Sequence, residues 1–334
     1  MRNLLTKLIF TTLFFMVTAG PAAAEELVVY TSMKASLMEK LKEDFERTHP
    51  GATLNYVSSG AGKIMDKLNK ERADGQNLAD VLWTSEVTDF YALKSSGLLA
   101  PYTPREIKLA LNPFPDYDGS FTAVRLGTLG IAYNTDIVKV PPLSWHDLAK
   151  PAYKGLVGIA DPAQSGTAYM SLAMLVSKFG WEYFEKLAAN GLRTIPDSKQ
   201  VINDVAEGKL AACLAVDYIA RDLMAKGAPL GLAYPPQMLV VPSPVAVLKN
   251  APHRELARVF VDYLLSKDAQ SIIAGEGTLP VRPDVRLPER YEGLPLPASA
   301  MRRAIPINYA DLKTSKEETL AKYKAIVEAH QSVH

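Results

Sequence analysis

Residues 156–167 read Leu156-Val157-Gly158-Ile159-Ala160-Asp161-Pro162-Ala163-Gln164-Ser165-Gly166-Thr167. The apolar run Leu156 to Ala160 has the pattern of a strand covered on both faces, and Asp161-Pro162 stops it. Ser165-Gly166-Thr167 then opens a helix expected to run through Ser177. Strand, hydroxyl-rich loop and helix together form the unit of an open α/β sheet. Parallel strands in such a sheet are joined by right-handed crossovers.

The same unit recurs upstream. Leu27-Val28-Val29-Tyr30 leads through Thr31-Ser32 into a helix in which Leu37, Met38, Leu41 and Phe45 recur at helical spacing, ending at His49-Pro50-Gly51. Ser36 and Glu39 there have capping-box spacing. Thr53 to Val57 reads as a strand, Ser58 to Gly62 as a loop, and Lys63 to Ala73 as a helix. Asp80 to Trp83 is a third strand, followed by Thr84-Ser85-Glu86 and a helix ending near Gly97. A second set begins after Gly127, with strands at Leu129–Asn134, at the quoted unit and around Cys213. Its helices start at Ser144-Trp145-His146-Asp147 and lie near Trp181–Asn190 and Gln200–Glu207. Beyond Met238 come two short strands, 238–241 and 245–248, then helices Arg254–Leu265 and Asp268–Ala274. A last amphipathic helix is capped at Ser315. The pattern predicts two α/β lobes between which the chain crosses at least twice, near Arg125–Leu129 and Gln237–Ser243. One lobe takes 25–126 with 240–300, the other 127–239 with the helical segment 301–334.

Composition excludes several classes. A chain of 334 residues that is 48% hydrophobic and 22% charged is globular rather than disordered or coiled-coil. A net charge of +1 supplies no basic field for nucleic acid. Arg2, Lys7, the apolar core Leu8–Ala19 and Ala22-Ala23-Ala24 form a secretory signal (1–24) expected to be cleaved after Ala24; an uncleaved anchor is the alternative. The apolar core falls short of the ~20 residues a bilayer span needs. Removing Arg2 and Lys7 from the 37 basic residues leaves 35 against 36 acidic ones. The single cysteine, Cys213, sits in an apolar run and reads as a buried, inert thiol. An exported monomer without disulfides fits a bacterial periplasm.

Ligands of open α/β sheets sit beyond the carboxyl ends of the strands, where loops enter helix N-termini. Four such loops carry small and hydroxyl residues: Thr31-Ser32, Ser58 to Gly62 (with Ser59, Gly60 and Ala61), Thr84-Ser85-Glu86, and Ser165-Gly166-Thr167. Backbone N–H groups and the helix dipole there favour an oxyanion. Each loop taken alone reads first as an N-cap with a turn glycine; only their equivalent positions together point to a ligand. Gly60-Ala61-Gly62-Lys63 is not a nucleotide P-loop, because Val57 and Ile64 stand where the motif needs Gly and Ser/Thr. The five histidines lack metal-ligand spacing, Asp116-Tyr117-Asp118-Gly119 lacks the rest of a calcium loop, and no Gly-x-Ser-x-Gly occurs. No catalytic residue, resident metal or cofactor is expected. Asp217-Tyr218 follows a strand of the second lobe and could face the cleft, or be a solvated Asp beside a packed Tyr. Trp83, at a strand end, is the tryptophan best placed to be a ligand platform.

These segments resemble the periplasmic solute-binding proteins of ABC importers. The resemblance rests on the signal, Tyr30-Thr31-Ser32, Ala79 to Trp83, and the stretch Ser144-Trp145-His146-Asp147-Leu148-Ala149-Lys150-Pro151-Ala152-Tyr153-Lys154-Gly155. That last stretch looks like the signature of the ferric-ion-binding clade. Asp161-Pro162 with Ser165-Gly166-Thr167, and Gly275-Glu276-Gly277 before Leu279-Pro280, extend it over the mature chain. The resemblance implies a type II binding-protein fold whose two lobes close on a small ligand and deliver it to an inner-membrane permease. Ferric members hold iron with a His, a Glu and two adjacent Tyr; here Lys34 stands in the His region, Ser85 beside Glu86 in the Glu region, and Asp217-Tyr218 replaces the Tyr pair. A lysine repels a trivalent cation. Ser59 to Lys63, Leu82 to Glu86 and Cys213 to Tyr218 look most similar to the 2-aminoethylphosphonate-binding branch. That implies a phosphonate held by hydroxyls and N–H groups of both lobes, with Glu86, Asp217 or Tyr218 on the ammonium. Ferric ion is the alternative cargo. A secreted phosphate-ester hydrolase and a ligand-presenting sensor are further alternatives.

Overall fold

The computed structural model describes residues 25–291, 293–312 and 316–331. The expected signal, 1–24, and the cap at Ser315 lie outside them. The chain begins β1 (Glu25–Thr31), α1 (Ala35–Thr48), β2 (Ala52–Ser58), α2 (Ala61–Ala73), β3 (Val81–Trp83), α3 (Val87–Ser95) and β4 (Leu99–Ala100). The long β5 (Thr122–Asn134) follows, then two 3₁₀ turns, β6 (Val157–Ala160), α4 (Gly166–Phe179), α5 (Trp181–Ala189) and β7 (Arg193–Ile195). Next are α6 (Ser198–Ala206), β8 (Ala212–Val216), α7 (Asp217–Ala225), β9 (Leu230–Ala233) and β10 (Leu239–Leu248). The chain continues through α8 (Arg254–Leu265), α9 (Lys267–Gly275), β11 (Leu279–Pro280), α10 (Pro297–Arg303), α11 (Tyr309–Leu312) and α12 (Lys316–Gln331).

The strands form one curled sheet in the order β2-β1-β3-β10-β5-β8-β6-β7. At one end β1 pairs in parallel with β2 and β3; at the other β6 pairs in parallel with β7 and β8. Only the centre is antiparallel, where β10 and β5 run through both lobes. Leu239 to Ser243 pair with Leu129 to Arg125, so the two expected crossings are one ladder, and its register shifts between Ser243 and Pro244. The two short strands expected around Pro242-Ser243-Pro244 are a single β10. The missing proline N–H groups are tolerated at that irregularity.

Local signals account for some helix starts. The Ser165 side chain accepts the Ala168 N–H at the head of α4, and Ser144 with Asp147 forms a capping box. The box expected at Ser36 does not form: α1 starts two residues earlier, behind Lys34, and the Ser36 hydroxyl donates to Glu276 at 2.7 Å. Asp118 accepts the Ser120 N–H, so its loop is a turn. Cys213 is fully buried in β8, and burial pushes its thiol well above the ordinary value. The tail touches both ends of the molecule, α11 packing on α3 and α12 on α5.

Candidate functional site

A cavity of about 440 Å³ lies between the two lobes. Four loops reach it, each from the carboxyl end of a strand: after β1 (Ser32, Met33, Lys34), after β2 (Ser58 to Ala61), after β3 (Ser85) and after β6 (Gln164 to Thr167). Helix α6 contributes Ser198, Lys199 and Asn203, and α7 contributes Tyr218, Ile219, Asp222 and Leu223.

The lobes are in contact around this space. A Cβ on Gly60 would lie 2.5 Å from the Gln164 carbonyl oxygen, and one on Gly62 would overlap the Ala163 carbonyl. A Cβ on Gly166 would lie 2.7 Å from that of Glu86. Glycine at these points lets the N-terminus of α2 press against the loop before α4.

Three hydroxyls converge where α4 and α6 begin. Ser165 Oγ lies 3.0 Å from both Thr167 Oγ1 and Ser198 Oγ. On the opposite lobe, Ser32 Oγ accepts the Ser85 N–H at 3.0 Å, and the Ser85 hydroxyl lies 2.8 Å from that of Ser243 on β10. Such hydroxyls turn to suit an acceptor, and two helix N-termini face the same spot.

The charged lining is uneven. Lys34 reaches Asp222 at 3.1 Å across the cleft and Glu276 at 2.9 Å, and stands 4.8 Å from the Tyr218 ring. Despite the cost of burial, these carboxylates raise its pKa, while the Lys40, Lys34 and Ser36 contacts bring Glu276 down to about 2. Arg125, on β5, is 3% exposed and lines the cavity. Its Nε donates to Thr278 and its Nη1 to the Met33 sulfur, but Nη2 has no partner among the described residues. Burial pulls the Arg125 pKa below its ordinary value.

Ten of the fourteen sequence-derived candidates line this one cavity: Ser32, Lys34, Ser59, Gly60, Ala61, Ser85, Ser165, Gly166, Thr167 and Tyr218. The other four stand behind it. Thr31 is buried and its hydroxyl accepts the Met33 N–H, shaping the first loop. Trp83 is wholly buried. Glu86 is ion-paired with Lys316, which also holds Asp89 at 2.8 Å. Asp217 accepts from Thr128, from Tyr234 at 2.9 Å and from the Tyr218 N–H, and burial lifts it to about 6. The lining also holds residues outside the candidate set, chiefly Arg125, Ser198, Lys199, Asp222 and Lys226. Arg125 had a signal in the sequence: a lone charge inside the apolar run of β5, where a buried charge needs a reason.

Among the described residues no three His, Cys, Asp or Glu side chains come together as a metal site, and no helix is long and apolar enough to cross a membrane.

A model of the family described as bacterial extracellular solute-binding protein matches residues 76–311. A putative 2-aminoethylphosphonate-binding periplasmic protein of Salmonella paratyphi A is 24% identical over 333 residues, covering 94% of this chain and 96% of its own. The fructose-6-phosphate-bound periplasmic binding protein AfuA from Actinobacillus pleuropneumoniae superposes with a TM-score of 0.81 at 23% identity, covering 91% of this chain and 99% of its own. Iron-bound HitA from Pseudomonas aeruginosa gives 0.77 at 24%, covering 90% and 99%. At these identities the two structures establish the type II fold.

Proposed function

Because this chain belongs to the bacterial extracellular solute-binding protein family, and is thereby the periplasmic substrate-binding component of an ABC importer, we propose that its cargo is a small organic phosphonate. The observation that carries this is the cluster Ser165, Thr167 and Ser198 at the heads of α4 and α6, inside the cleft. Hydroxyls, N–H groups and helix dipoles suit a compact, highly charged oxyanion, each charge-assisted bond contributing about 1.5–3 kcal/mol. The phosphonate-binding relative supports the same class. We take the lobes to be 25–126 with 240–300 and 127–239 with the C-terminal segment, closing about β5 and β10. Export by residues 1–24, a monomeric state, handover to an inner-membrane permease, and binding without catalysis complete the reading.

Ferric ion fits this lining less well. Lys34 and Arg125 stand in the cavity, whereas Glu86 and Asp217, the hard oxygen donors of those loops, are engaged behind it.

Calorimetry and thermal shift against alkylphosphonates, 2-aminoethylphosphonate, phosphate esters, ferric citrate and thiamine test the proposal. A phosphonate at about 100 times its Kd adds about 2.7 kcal/mol of stability. Tight ferric binding with no response to any phosphonate overturns it.

A further inference from the structure

We infer that the cargo carries a second negative group beside its phosphonate and that Arg125 reads it; this rests on the phosphonate reading above. The Arg125 guanidinium is buried on β5, held by Thr278 and Met33 and set 5.5 Å from the Tyr218 ring. None of these contacts belongs to the cluster of Ser165, Thr167 and Ser198, so the two features occupy different walls of one cavity. A thioether is a weak acceptor, and Nη2 has none among the described residues. A buried guanidinium without a paired anion is costly. Asp217, a carboxylate whose field reaches it, is committed to Thr128, Tyr234 and the Tyr218 N–H.

The rest of the lining points the same way. Its cations are Lys34, Arg125, Lys199 and Lys226, against Asp197 and Asp222. Asp222 is paired with Lys34, and Asp197 caps α6 by accepting two backbone N–H groups. An ammonium on the ligand therefore meets no free carboxylate, whereas a carboxylate meets a cavity wall carrying a buried guanidinium that no contacting carboxylate balances. The cargo class is a phosphonate and a carboxylate joined by a short carbon chain.

Three probes sharing a two-carbon spacer test this by calorimetry: 3-phosphonopropionate, propylphosphonate and 2-aminoethylphosphonate. The chain binds 3-phosphonopropionate about tenfold or more tighter than propylphosphonate, as one charge-assisted bond implies, and 2-aminoethylphosphonate more weakly than either. Arg125→Gln brings the affinities for the first two together by selectively weakening 3-phosphonopropionate; Arg125→Lys keeps part of the preference. Tightest binding of 2-aminoethylphosphonate overturns the inference, as does an Arg125→Gln variant that weakens all three probes in proportion. Should the Gln variant fail to fold, the wild-type ranking and the Lys variant decide. Failure of all three probes to bind folded protein removes the phosphonate reading itself, a result distinct from equal binding of the three.

Discussion

Gly60 at the head of α2 faces the Gln164 carbonyl so closely that a Cβ would stand 2.5 Å from its oxygen. The two residues follow strands at opposite ends of the curled sheet, and on the lobe division proposed above this approach measures closure. Gly60 has φ −58° and ψ 147°, which any residue adopts, so a larger side chain acts through bulk alone. Gly60→Val therefore leaves the melting temperature of the free protein nearly unchanged. It weakens ligand binding about tenfold or more by lowering the closed population. Small-angle scattering checks it: ligand-induced compaction disappears in the variant, and undiminished compaction refutes the assignment.

The hydroxyls at the heads of α4 and α6 separate stability from binding. Ser165 caps α4, whereas Ser198 is the first helical residue of α6, behind the cap Asp197. Ser165→Ala costs about 1 kcal/mol of folding stability in addition to weaker ligand binding. Ser198→Ala weakens binding with stability within about 0.5 kcal/mol. Urea unfolding of the free proteins and calorimetry on the same samples read the two effects.

Acid stability is tied to Glu276. Its folded pKa of about 2 lies below the ordinary 4.5, so its contribution is fully present above 4.5 and is lost as pH falls toward 2. A shift of that size is worth on the order of 2–3 kcal/mol. Glu276→Gln lowers stability at pH 7 and flattens the pH dependence between these limits. Urea midpoints at pH 7, 4 and 3 test this, and an unchanged slope rejects it.

Lys316 holds two buried carboxylates. Glu86 and Asp89 are 1% and 6% exposed, and burial raises the pKa of both against the pull of Lys316. Lys316→Met strands them and costs about 3–5 kcal/mol. Adding Glu86→Gln and Asp89→Asn recovers much of that loss in thermal unfolding, and no recovery rules out the charge explanation.

Much of this was legible in the sequence because local rules and the fold agree. Apolar runs such as Val81–Trp83 and Ala212–Val216 are strands buried at every position, and Ser144 and Ser165 cap the turns they precede. Where local pattern failed, a distant partner had outcompeted it. Ser36 gives its hydroxyl to Glu276, 240 residues away, and Pro242 and Pro244 are carried inside a strand because the ladder slips beside them. Glu86 and Asp217 stand in the right loops, yet Lys316 and the Thr128–Tyr234 pair draw their oxygens out of the cavity. Arg125 stands in the sequence as a lone charge in an apolar run, but its setting emerges only once the turn before β11 and the first loop bring Thr278 and Met33 against it.

The slip between Ser243 and Pro244 has a mechanical consequence. Flexing a regular ladder would rupture hydrogen bonds and make each transport cycle uphill. If the lobes close about β10, Pro242 and Pro244 have no N–H bonds to lose as the ladder bends at this slip. Under that reading, capture and release of cargo bend the sheet at a place where two donors are already missing.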